Sequence, residues 1–107
     1  MKRATKLAVM TAMVTLIFST WSFSEDMGAD LYKAKCAACH GADGKGDTAM
    51  GKKMGLKDLG SADAQGKSDS DVNGIITNGK GPMPSYKGKL SDAQIDSLVK
   101  YIRTLKK

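Results

Sequence analysis

The only two cysteines and the only histidine of the chain fall within five consecutive residues, Cys36-Ala37-Ala38-Cys39-His40. Residues three apart in a helical turn lie on one face. Two thiols at this spacing can therefore add to two vinyl groups along one edge of a porphyrin, with the adjoining imidazole held as a ligand to a central iron. C-x-x-C-H is the attachment signature of haem c. The expected cofactor is one covalently bound haem c, with Cys36 and Cys39 as its thioethers and His40 as the proximal axial ligand. Two other chemistries use paired cysteines. A dithiol oxidoreductase would open a helix with them after a strand, so that the helix dipole stabilises a thiolate, whereas here they close a helical stretch with no strand before it. Structural zinc needs four ligands, and no further Cys or His exists to complete the set.

An iron with one histidine has a sixth position to fill, and what fills it separates electron transfer from catalysis. The strongest candidate is Met83 in Gly81-Pro82-Met83-Pro84-Ser85-Tyr86, flanked by both prolines of the chain. Proline fixes its own φ and pushes the preceding residue towards extended backbone, so Met83 cannot belong to a helix face. A rigid loop presenting a soft thioether suits an iron that must change oxidation state with little rearrangement. Met27 precedes the first helix, and Met50 and Met54 lie in a Gly-rich stretch, where methionine commonly fills packing gaps. Met54 is the alternative ligand. With no methionine bound, the site would be open, as in a small peroxidase or a gas-binding haem protein.

Three helical segments must position these residues. The first is expected from about Asp26, as N-cap, to Ala38, with Leu31, Ala34 and Ala38 on one face. Gly28 within it marks either a frayed start or the close approach of another helix. The second is expected from Ser68, capped reciprocally with Asp71, with Val72, Ile75 and Ile76 as its stripe and Asn78-Gly79 as its stop. The third is the best specified. Ser91 and Gln94 form a capping box, Leu90 can staple onto Ile95, and Ile95, Leu98, Val99 and Ile102 recur at helical spacing. Residues 43–67 are expected as loop, with one short turn around Met50 to Leu56.

Lys2, Arg3 and Lys6 precede an apolar run from Leu7 to Phe18, and Ser22-Phe23-Ser24 supplies small residues at the positions a signal peptidase reads. Residues 1–24 are the expected signal peptide and 25–107 the single functional domain. The run of 12 apolar-rich residues falls short of the roughly 20 that span a bilayer, so no membrane anchor is expected. The net charge of +6 includes three basic residues of the leader and all 11 acidic residues lie beyond it, leaving +3 on the 83-residue domain. That small excess removes most support for a nucleic-acid partner. Lys33, Lys35, Lys80, Lys87 and Lys89 lie near the key motifs, either as a ring that steers an acidic partner or as scattered solubilising charge.

Gly28-Ala29-Asp30-Leu31-Tyr32, Cys36-Ala37-Ala38-Cys39-His40-Gly41, Asn78-Gly79, Met83-Pro84 and a closing amphipathic helix with Tyr101 together resemble the class I c-type cytochromes. The resemblance runs from about Gly28 to Leu105. It implies an all-α fold of three to four short helices around one haem, with the first and last helices crossing near Gly28 and Tyr101. It also implies a soluble, monomeric periplasmic electron carrier rather than an enzyme. Its partners would be redox proteins such as a membrane oxidase or a periplasmic dehydrogenase. Some members follow the haem motif with a proline whose carbonyl accepts the proximal imidazole N–H. Here no proline occurs between His40 and Pro82.

Overall fold

The architecture rests on the packing of two 13-residue helices, α1 (Phe23–Lys35) and α6 (Asp92–Thr104), from opposite ends of the sequence. The computed structural model describes residues 23–107; all but the last two residues of the expected leader lie outside that range. Between the two helices come α2 (Ala37–His40), α3 (Ala49–Met54), α4 (Ala62–Gln65) and α5 (Asp69–Asn78). Four of the six exceed a single turn, in keeping with the all-α expectation. No strand occurs among the described residues, only the isolated bridges Lys80 to Met83 and Lys87 to Leu90.

Gly28 permits the crossing. A Cβ added there would be driven into the Ser97 carbonyl oxygen and would lie 3.0 Å from the Tyr101 Cβ. The glycine therefore marks close helix approach, and not a frayed end. Below it Tyr32 stacks at a tilt on Tyr101, ring centroids 5.0 Å apart. The core is Tyr32, Val72, Ile76, Ile95, Leu98, Val99 and Ile102, with Leu98 fully buried. Its members come from α1, α5 and α6, with the expected stripes of α5 and α6 facing one another.

The α6 capping box forms as expected: Gln94 N–H donates to Ser91 Oγ (3.2 Å) and Ser91 N–H to Gln94 Oε1 (2.8 Å). In α5 only half of the expected reciprocal cap forms, Asp71 N–H donating to Ser68 Oγ at 3.0 Å. Asp's shorter side chain explains the missing return bond. Gly79, at φ 76°, ends α5.

The first helix departs from expectation. Asp26 lies inside α1 and is not its cap, and the helix stops at Lys35, so Cys36 forms a joint before the single turn of α2. The inward face of α1 is also not the expected one: Ala34 is exposed, as is Ala38 beyond the break, while Tyr32 is buried. The short α3 falls close to the expected turn. The single turn of α4 was not expected; Ser61 caps it through Ala64 N–H at 3.3 Å. Side chains from α6 hold this region: Arg103 donates to the carbonyls of Gln65 and Lys67 and pairs with Asp69. From α4, Gln65 Nε2 donates to the carbonyls of Leu59 (2.8 Å) and Ile102 (2.9 Å).

Candidate functional site

Cys36, Cys39 and His40 stand on one wall of a cavity of about 460 Å³, and Met83 stands on another. A smaller, mostly apolar cavity of about 120 Å³ lies deeper, lined by Tyr32, Val72, Ile76 and Ile102 among others. Cys36, His40 and Met83 are the three residues common to both. The site thus brings together all four residues singled out in the sequence.

The wall carrying His40 is tied into the fold by side chains. Tyr32 donates from its buried hydroxyl to the Gly41 carbonyl at 2.7 Å, directly after the histidine. Thr48 donates to the Cys39 carbonyl at 2.6 Å and accepts from Gly51 N–H at 2.8 Å, capping α3 at the same time. A Cβ at Gly51 would lie 2.6 Å from the Cys39 carbonyl oxygen, so only glycine lets α3 press against the motif. Gly41 turns the chain at φ 82°, and Gly46 N–H closes the turn on the His40 carbonyl at 2.7 Å.

The opposite wall is a loop. Lys80 and Met83 exchange backbone bonds of 3.2 and 3.0 Å, and Gly81 between them adopts φ 54°. Ser85 Oγ donates to the Thr77 carbonyl at 2.7 Å. Met83 is half-buried and packs against the core.

Burial pushes the Cys36 thiol up to about 11, with Cys39 adding to the effect. A redox dithiol needs the opposite shift, so the electrostatics disfavour that alternative. Among the described residues no three His, Cys, Asp or Glu side chains converge on a metal ion, which leaves the zinc alternative without a ligand set. Burial also lowers the His40 pKa, favouring the neutral imidazole that metal ligation requires. His40 Nδ1 is buried without a hydrogen-bond partner. No described residue therefore takes the acceptor role that the resemblance gives to a proline carbonyl. Two thiols, an imidazole and a thioether around an apolar space are the donor set of a covalently attached haem.

A second methionine and three lysines also line the cavity. Met54 does so from the end of α3, where it was expected to fill a packing gap. Met27 and Met50 are 37% and 49% exposed and fill none. Of the five lysines considered in the sequence, Lys35 and Lys80 line the cavity, and Lys57 joins them. Lys57 carried no local signal, because residues 55–57 reach the site only through the packing of α3.

Fold and donors define a small haem protein of the c type, and comparison with known proteins gives the family. Residues 24–102 match the family model described as Cytochrome C oxidase, cbb3-type, subunit III. The chain is 40% identical over 78 residues to cytochrome c6 of Leptolyngbya boryana, covering 70% of this chain and 85% of that one. It is 35% identical over 89 residues to the cbb3-type cytochrome c oxidase subunit CcoP of Azospirillum brasilense, 81% of this chain but 30% of that subunit. Among solved structures, the c-type cytochrome KustC0563 superposes with a TM-score of 0.69 at 34% identity, covering 75% of this chain and 98% of that one. The chain belongs to the class I c-type cytochromes. It is a haem c protein of electron transfer and not an enzyme.

Proposed function

We propose that Cys36 and Cys39 hold the haem by thioether bonds, that His40 and Met83 are its axial ligands, and that the protein is a soluble periplasmic electron carrier. The observation that carries this reading is that Cys36, His40 and Met83 alone line both cavities. Bound haem supplies a one-electron iron couple. The chain supplies the setting: His40 binds through a neutral ring nitrogen from a turn fixed by Tyr32 and Thr48. Met83 offers a soft thioether that favours the reduced iron, from a backbone restrained by Pro82 and Pro84. The apolar residues of the inner cavity exclude water from that side.

The leader composition supports export, with cleavage after Ser24 and residues 25–107 as the mature domain. Among the described residues no helix is long and apolar enough to cross a membrane. Similarity to cbb3-type oxidase subunits supports a respiratory role, a membrane oxidase or a periplasmic dehydrogenase being the exchange partner of the monomer. Lys35, Lys57 and Lys80 at the cavity favour a partner with an acidic docking face.

The deciding experiment compares Met83→Ala with Met54→Ala in the matured protein. Met83→Ala should abolish the far-red sulfur-to-iron band, lower the reduction potential and raise peroxidase activity, while Met54→Ala leaves all three unchanged. The reverse pattern moves the ligand to α3. A wild-type iron that is already high-spin overturns the carrier reading in favour of an open site. Sequencing the N-terminus of the periplasmic fraction, with Glu25 expected first, tests export.

A further inference from the structure

The segment 79–90 carries Met83 across the site, and its hydrogen bonds to the rest of the protein run almost wholly one way. Tyr86 N–H donates to the Ile76 carbonyl at 3.1 Å, Lys87 N–H to the Thr77 carbonyl at 3.0 Å, and Gly79 N–H to the Ile75 carbonyl at 2.8 Å. Ser85 Oγ also reaches Thr77. All four end on α5. Towards the wall that bears Cys36 and His40, one hydrogen bond crosses among the described residues: Tyr86 Oη donates to the Lys35 carbonyl at 3.1 Å, over 51 positions of sequence.

Both ends of that bond are prepared for it. Lys35 is the last residue of α1, so its carbonyl is one of those a helix end leaves without an intrahelical partner. It directly precedes Cys36. Tyr86 lines the larger cavity with Met83, and Lys89 and Leu90 N–H both fold back onto the Tyr86 carbonyl at 3.0 and 3.1 Å, fixing the backbone from which the ring projects. A six-coordinate iron requires the His40 wall and the Met83 loop to keep one separation, and bonds to α5 alone do not set it.

We propose that the Tyr86 hydroxyl is the latch that closes the Met83 loop onto the haem-attachment segment. Tyr86 is a positioning residue, since it acts through the loop and not on the iron. The proposal rests on Met83 being the distal ligand. Opening the loop breaks the Tyr86–Lys35 bond before the thioether can leave, so the latch governs how often the iron becomes accessible to an external ligand.

The test uses the matured ferric protein and imidazole as the probe, at saturating concentration, where binding is limited by departure of the native ligand. Tyr86→Phe keeps the ring and removes the bond; it should retain the far-red band without imidazole and bind imidazole about three- to tenfold faster than wild type, the worth of one hydrogen bond. Ser85→Ala removes a bond between the same loop and α5. The latch requires the Tyr86 variant to accelerate binding more than the Ser85 variant, including where both lower the denaturation midpoint equally. Equal acceleration, or a wild-type rate in Tyr86→Phe, overturns it. A wild-type protein without the far-red band overturns the Met83 assignment and the latch with it; a band present with an unchanged Tyr86→Phe rate overturns the latch alone.

Discussion

The two walls of the haem site are built differently. The His40 wall is fastened by buried or half-buried side chains, Tyr32 onto Gly41 and Thr48 onto Cys39, and through Tyr32 it joins the α1–α6 core. The Met83 wall is a loop ruled by two prolines, bound to α5 and joined to the other wall by one solvent-accessible hydrogen bond. Local stability follows buried contacts and protected hydrogen bonds. Ligand exchange should therefore begin on the methionine side, with the histidine side opening only when the domain unfolds.

The most severe break in this contrast is at the covalent anchor. Replacing both Cys36 and Cys39 with Ala should release all haem to acidified butanone, whereas either single replacement should keep one link. Haem surrendered by the wild-type protein under that extraction would end the attachment claim.

Next in size is Gly28→Val, which places a side chain against the Ser97 carbonyl and Tyr101 and strikes the support of the His40 wall. Overpacking of this kind costs about 3 kcal/mol, read by chemical denaturation. Unchanged stability would show that the crossing is slack. Met83→Ala, by contrast, should alter ligand binding far more than global stability, because the loop contributes no residue to the fully buried core.

Thr48→Val sharpens the comparison on the histidine side. It removes a bond to Cys39 and the cap of α3 together, an expected loss of about 2 kcal/mol, and amide exchange at Gly51 should rise with it. Should exchange at Gly51 stay unchanged while stability falls, the hydroxyl is not the cap.

The smallest effect lies far from both walls. Lys107 holds the Asp58 carboxyl below its ordinary value. A carboxyl whose pKa is depressed by folding stabilises above its unfolded value, and that contribution disappears as pH falls through the folded one. Lys107→Ala should thus lower stability slightly at neutral pH, the difference from wild type shrinking as pH falls through the folded value of Asp58. Equal stability of the two proteins at neutral pH, read by chemical denaturation, would show that the pair adds nothing.

Much of this was legible in the sequence because it is local. The haem motif, the Ser91–Gln94 box and the proline-flanked methionine each declare themselves within a few residues, and the stripe of α6 spans a single helix. The break at Cys36 was not legible, since Leu31, Ala34 and Ala38 keep helical spacing through it and only packing decides which face turns inward. The α4 turn was hidden for another reason: Gln65 and Arg103 fasten it across intervals of 37 and 38 positions, with no local pattern beyond Ser61. Likewise the partnerless His40 Nδ1 was announced by a missing proline, but whether another carbonyl would take that role depended on the folded loop.

The meeting of α1 with α6 has a consequence for the order in which the chain can be made. Met27 and Ser97 touch across 70 positions, sulfur to hydroxyl at 3.8 Å, and closing a loop of that length costs about 4 kcal/mol of chain entropy before any contact repays it. The partner surface for the first helix is synthesised 70 positions after it. Until Leu98 and Tyr101 are made, Tyr32 lacks the α6 face against which it is buried. The α1–α6 crossing therefore forms only after the whole Cys36–His40 segment has been made.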